Sequence, residues 1–179
     1  LCCECYCIDI SEVMLKQAFD KNANIKWTLG DVASLPYSDE YFNGAVCSLA
    51  IHHFTDLTSA FKEVYRVIDK GNFIIFTAFP DQMQSYWLCN YFPEMMRRSI
   101  NNMPDQKTLV TSLQSVGFEV KNIAPFFVTN ELQDMFLYSG KERPEIYFDP
   151  NVRSNISSFA SICNNVVLDN ELRSLGADL

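Results

Sequence analysis

Residues 30–43 read GDVASLPYSDEYFN. The apolar run IKWTL at 25–29 predicts a strand, and Pro36 punctuates the loop that follows. Asp31 therefore stands at a strand end with no basic neighbour to pair with. Working outward, residues 6–10 read as an earlier strand that ends at Asp9 and Ile10. Between the two strands, Ser11 can cap a helix with Met14, Leu15, Ala18 and Phe19 on one face, ended by residues 22–24. Downstream, AVCSLA from Ala45 predicts a strand at 45–49 buried on both faces. Asp56 can cap a helix with Leu57, Ala60, Phe61, Val64 and Ile68 on one face and Gly71 as its stop, and NFIIFTAF at 72–79 predicts a strand closed by Pro80. Short β-rich runs alternating with helical patterns predict an α/β fold with a parallel sheet.

The second half is less regular. Residues 80–104 are rich in Trp, Tyr, Phe and Met without clean periodicity, which suits a cover over a pocket on the substrate side. Asp105 can cap a helix through Leu109, Leu113 and Val116 with Gly117 as its stop, and FEVKNIAPFFV at 118–128 reads as a late strand or strand pair. Residues 130–179 form a C-terminal extension of turns and short helical pattern. No repeat or low-complexity linker divides the chain, so 1–179 is expected to be a single, partial domain.

At 179 residues the chain can close one core. A net charge of −8 and scattered basic residues argue against nucleic acid as a partner. No apolar run approaches the ~20 residues of a membrane span, and no leader pattern stands at the start, so a cytoplasmic protein is expected. Cys2, Cys3, Cys5 and Cys7 have no downstream return pair of the zinc-site kind. They read as reduced thiols of a buried strand and its approach rather than as metal ligands.

In a doubly wound sheet, ligands sit at the carboxyl ends of the strands. Asp9 and Asp31 fall there on successive strands, where one acid can accept from ribose hydroxyls and the other from an exocyclic amine. Each alone could simply cap a following turn. It is the pair that points to a ligand.

Three stretches in order, CIDISEVMLKQA at 7–18, GDVASLPYSDEYFNGAVCSLAIHHF at 30–54 and AFKEVYRVIDKGNFIIFTAF at 60–79, resemble the motifs of class I S-adenosylmethionine-dependent methyltransferases. The similarity is to the methyltransferase type 11 group, which includes ubiquinone and menaquinone biosynthesis enzymes. Residues 131–159 are similar to the C-terminal segment of one of its subgroups. The resemblance implies a Rossmann-like sheet with helices on both faces, S-adenosyl-L-methionine as cofactor and methyl transfer to an O, N or C nucleophile of a small molecule. It implies that Asp9 binds the ribose hydroxyls with Ile10 beside the adenine, and that Asp31 receives the adenine amine with Val32 flanking the ring. Leu49 and Ala50 would line the methionine end and His53 would border the substrate. Tyr86, Trp87 and Tyr91, with Phe92, would wall the pocket, and His52 and His53 are candidate bases.

The chain departs from this pattern in one large respect. None of its six glycines forms Gly-x-Gly, and only five residues precede the first predicted strand. The first strand and its glycine-rich loop are thus lacking, as expected of an N-terminally truncated methyltransferase. The alternative is a non-catalytic remnant or binding module that no longer holds the cofactor. A nicotinamide dehydrogenase is a third reading, in which Asp31 and its loop have no role. Asn43, where relatives often place Asp before the fourth strand, is a smaller departure.

Overall fold

A computed structural model of the chain describes residues 3–22, 24–160, 162 and 165–179. They form two compact units, Leu1–Thr77 with Gln106–Lys121, and Ala78–Asp105 with Asn122–Leu179. The aromatic segment and the C-terminal extension therefore share one unit.

The first unit is built from two strand–helix–strand pairs. Strand β1 (Tyr6–Asp9) leads through helix α1 (Glu12–Lys21) to β2 (Lys26–Leu29), which pairs parallel to β1 from Tyr6 opposite Lys26 to Asp9 opposite Leu29. Strand β3 (Phe42–Ser48) leads through α2 (Leu57–Val67) to β4 (Ile68–Phe76), again parallel. Both helices begin on side-chain caps that satisfy free N–H groups: Ser11 Oγ accepts from the Met14 amide, and Asp56 accepts from the Thr58 amide. This α/β arrangement is the one expected. Among the described residues neither strand pair gains a third strand, so the outer edges of β1 and β3 are unpaired there.

Aromatic packing ties the amino ends of the strands together. The Tyr6 ring meets Phe42 edge-on at 5.2 Å and Tyr41 at 5.7 Å, while its hydroxyl bonds that of Tyr41 at 2.9 Å. Ala60, Phe61, Val64 and Val67 form the buried face of α2. Phe61 packs against Phe73 of β4, and Val64 and Val67 share a cluster with Val32, Leu35, Phe42 and Phe118. Helix α6 (Gln106–Ser115) closes this side with Leu109 and Leu113. Gly117, at φ +107°, lets the Phe118 amide return to the Leu113 carbonyl.

Several boundaries differ from those predicted. Helix α2 ends at Val67 and β4 starts at once, so Gly71 lies inside a strand rather than at a helix stop. A Cβ there would lie 1.9 Å from the Asn43 carbonyl oxygen, so glycine permits the close approach of β4 to β3. Strand β4 stops at Phe76. Strand β3 is covered on one face only, because among the described residues nothing overlies Val46 and its register partner Ile74, which are 70% and 58% exposed. The apolar face of α1 is likewise open: Met14 and Phe19 are exposed, and no α1 residue is buried. Among the described residues no strand forms at 118–128, where Pro125 removes a ladder donor. Cys3 and Cys5 are exposed and Cys7 half-buried, not enclosed, because β1 has a described neighbour on one side only; Cys2 lies outside the described residues.

The second unit is helical among its described residues. Helices α3 (Pro80–Gln84), α4 (Leu88–Tyr91) and α5 (Pro93–Asn101) pack with a 3-10 turn at Pro144–Phe148, α7 (Pro150–Ser154), α8 (Ser157–Ala160) and α9 (Asn165–Ala177). Their core holds Met83, Tyr86, Phe92, Met96, Tyr147 and Phe159. The buried Tyr147 hydroxyl satisfies three groups at once. It bonds the Tyr86 hydroxyl at 2.8 Å, accepts from the Gly140 amide at 3.2 Å and donates to the Leu137 carbonyl.

Candidate functional site

Parallel pairing of β1 with β2 sends both chains off the same carboxyl-terminal rim. Asp9 is the last residue of β1, and its partner Leu29 precedes Asp31 by two residues. The two carboxylates have the same local geometry. Asp9 Oδ1 accepts from the Ser11 amide at 2.8 Å, and Asp31 Oδ1 accepts from the Ala33 amide at 2.9 Å. Each is an Asx turn, which orients the side chain by a bond to the backbone two residues on and leaves the second oxygen to spare. Among the described residues neither acid enters an ion pair. Ile10 beside Asp9 is strongly exposed, whereas Val32 is half-buried against α2.

The carboxyl end of β3 carries a backbone outlier. Leu49 follows the strand at φ +51°, a left-handed conformation that a branched side chain adopts only under constraint, and its amide is held by the Phe76 carbonyl at 2.8 Å. The bend turns Ala50 into a 3-10 turn, Ile51–His53, anchored by the fully buried Ile51. The imidazoles of His52 and His53 lie 4.0 Å apart. His52 Nδ1 is buried without a hydrogen-bond partner among the described residues. Burial, and then the neighbouring His53, bring the pKa of His52 down to about 4, so His52 is neutral at physiological pH.

Asp9, Ile10, Asp31, Val32, Leu49, Ala50, His52 and His53 thus all belong to the first unit, while Tyr86, Trp87 and Tyr91 belong to the second. Tyr86 is a core residue, its ring stacked on Tyr138 at 4.5 Å and its hydroxyl committed to Tyr147. Trp87 and Tyr91 are half-buried, and Trp87 Nε1 donates to the Lys141 carbonyl. An open hollow of about 300 Å³ in the second unit, bounded by Gln84, Cys89, Met96 and Arg97, is lined by none of the three. Among the described residues no group of three or more His, Cys, Asp or Glu could hold a metal ion, and no helix is long and apolar enough to cross a membrane.

Two residues that shape the rim were not singled out from the sequence. Glu63 and Arg66 of α2 hold the loop that follows Asp31, and their spacing of three was the available signal, indistinguishable there from an ordinary exposed helix pair.

Comparison with known proteins gives this arrangement a lineage. Residues 1–76 match the family described as a methyltransferase domain. A solved structure from Anabaena variabilis, assigned as a methyltransferase of an antibiotic biosynthesis pathway, is 30% identical and superposes with a TM-score of 0.85 over 97% of this chain and 69% of that one. A ubiquinone/menaquinone biosynthesis C-methyltransferase of a Caulobacter species is 28% identical over 66% of this chain and 56% of its own length. A malonyl-acyl-carrier-protein O-methyltransferase of Salmonella typhimurium is 37% identical over 39% of this chain and 28% of its own. The chain therefore spans about half or less of the curated relatives it matches. Its fold is the Rossmann-like α/β fold of this class. The chain belongs to the methyltransferase domain family.

Proposed function

We propose that the rim formed by Asp9 and Asp31 binds the adenosine of S-adenosyl-L-methionine, and that the protein transfers the cofactor's methyl group to a small-molecule acceptor. One observation carries the reading: two carboxylates at the carboxyl ends of adjacent parallel strands, each oriented by its own Asx turn, each with an oxygen left over and no cation among the described residues to take it. Such a pair fits a ligand rich in donors. Asp9 accepts from ribose hydroxyls, Asp31 accepts from the adenine amine, and Ile10 and Val32 flank the ring.

The bound sulfonium supplies an already activated methyl group. What remains for the protein is to orient the acceptor and keep water away. Leu49 and Ala50, at the constrained bend, would border the methionine end. His53 would border the acceptor, and His52 and His53 are the candidate bases for an acceptor that must lose a proton, with His52 the weaker of the two because burial lowers its basicity. For the acceptor the reading looks to the aromatic segment at 80–104, where Trp87 and Tyr91 are half-buried and Tyr86 is committed to the core of its own unit. Relatives that methylate carbon and oxygen support an acceptor of either kind. The free thiols of Cys3, Cys5, Cys7, Cys47 and Cys89 suit a reducing, cytoplasmic setting.

Calorimetric titration with S-adenosylhomocysteine tests this reading. The wild-type chain is expected to bind, and Asp9→Ala and Asp31→Ala are each expected to weaken binding about 10-fold or more. NADH is expected to give no heat. A wild-type chain silent toward S-adenosylhomocysteine would instead be a remnant without the cofactor.

A further inference from the structure

The loop from Asp31 to Tyr41 carries one of the two acids, yet it contains neither helix nor strand to hold its shape. One turn of α2 does so instead. Arg66 Nε and Nη2 form a fork on the Glu63 carboxylate at 2.8 and 2.7 Å. The same guanidinium donates from Nη2 to the Leu35 carbonyl at 3.0 Å, and from Nη1 to the Tyr37 carbonyl at 2.7 Å and to Asp39 Oδ1 at 2.8 Å. An arginine has five N–H donors in a rigid plane, and here every one is used. Glu63 completes the arrangement by accepting from the Leu35 amide at 3.0 Å, so both polar groups of the Leu35 backbone are held by the pair. The Arg66 carbonyl in turn accepts from the Glu40 amide at 2.8 Å.

Leu35 is the residue immediately beyond the turn that aims Asp31. Within that turn the Ala33 amide bonds Asp31 Oδ1, and the Ser34 amide bonds the Asp31 carbonyl at 3.0 Å. A displacement of Leu35 is passed directly into this turn. A shift of about 1 Å at a binding group is enough to cost a large factor in function.

We propose that Glu63 and Arg66 are positioning residues for the adenosine site: through the Leu35 and Tyr37 backbone they fix the turn that presents the Asp31 carboxylate. This role rests on the adenosine reading given above. It assigns to the helix pair an effect on ligand affinity that passes through one residue, in addition to any contribution to folding. It also requires arginine in particular, since a lysine ammonium keeps the charge but cannot occupy two carbonyls and two carboxylates at once.

The test is a double-mutant cycle on the full chain, read as S-adenosylhomocysteine affinity by calorimetry. Arg66→Met and Arg66→Lys are each expected to weaken binding about 5- to 10-fold in the wild-type background and less than about 2-fold in the Asp31→Ala background. Amide exchange in the unliganded Arg66→Met chain is expected to speed up at Leu35 and Glu40 while β4 amides keep their rates. Should Arg66→Met fail to fold, Glu63→Gln carries the same cycle, with a smaller loss of the same non-additive kind. Equal losses in both backgrounds, or an Arg66→Lys chain that binds like wild type, overturn the positioning role and leave the adenosine reading standing. A wild-type chain that binds no S-adenosylhomocysteine overturns the adenosine reading, and the positioning role with it.

Discussion

Burial takes the chemistry of His52 far from its free state. Its Nδ1 is buried without a partner among the described residues, and burial holds its pKa near 4, well below the ordinary value of 6.5. The folded chain therefore resists a proton that the unfolded chain accepts. Stability should decline as pH falls from about 6.5 toward 4, and the contribution should be spent once both states are protonated below that window. Replacing His52 by Gln removes this effect. Urea midpoints measured at several pH values between 7.5 and 4.5 should fall less steeply for His52→Gln than for wild type, and parallel slopes would contradict the assignment. The carboxylates held low by arginine, Glu63 and Glu94, act in the same direction only at more acidic pH.

At the scale of elements, Gly71 decides how β4 meets β3. The Asn43 carbonyl oxygen occupies the place a Cβ would take, so Gly71→Ala must push the strands apart where the β3–β4 register already shifts between Phe42 and Gly44. A loss of about 2–3 kcal/mol is expected in urea unfolding, in the range of overpacked sites, and a loss below about 0.5 kcal/mol would show that the strands yield freely. The position illustrates what was legible. Strand and helix types in the first unit followed from apolar spacing and from the caps Ser11 and Asp56, because those signals are local. The role of Gly71 was not, since a glycine after a helical pattern reads as a stop and only the folded chain reveals the carbonyl opposite it. The burial of β3 was overestimated for a related reason: Val46 and its partner Ile74 are apolar in pattern, but no described neighbour covers them, and the apolar face of α1 at Met14 and Phe19 is likewise uncovered. At 118–128 the β-rich pattern lacked a described partner to pair with. The rim acids were visible because their spacing from the strand ends is short, whereas the Glu63–Arg66 pair was hidden by a long-range contact across 31 residues.

At the scale of the whole chain, the first unit carries the rim and the second carries an aromatic core around Tyr86, Phe92 and Tyr147. The relatives place the chain in a methyltransferase family while exceeding it in length. The proposed methyl transfer therefore depends on whether the first unit recognises adenosine by the atoms assigned to it. The most direct measurement is a titration of the wild-type and Asp9→Ala chains, each with S-adenosylhomocysteine and with its 2′-deoxyribose counterpart. If Asp9 holds the ribose, wild type should prefer the natural ligand by about 10-fold, as expected for a lost charge-assisted bond, and Asp9→Ala should bind the two alike. A wild-type chain indifferent to the 2′-hydroxyl, or an Asp9→Ala chain that keeps the full preference, would contradict it.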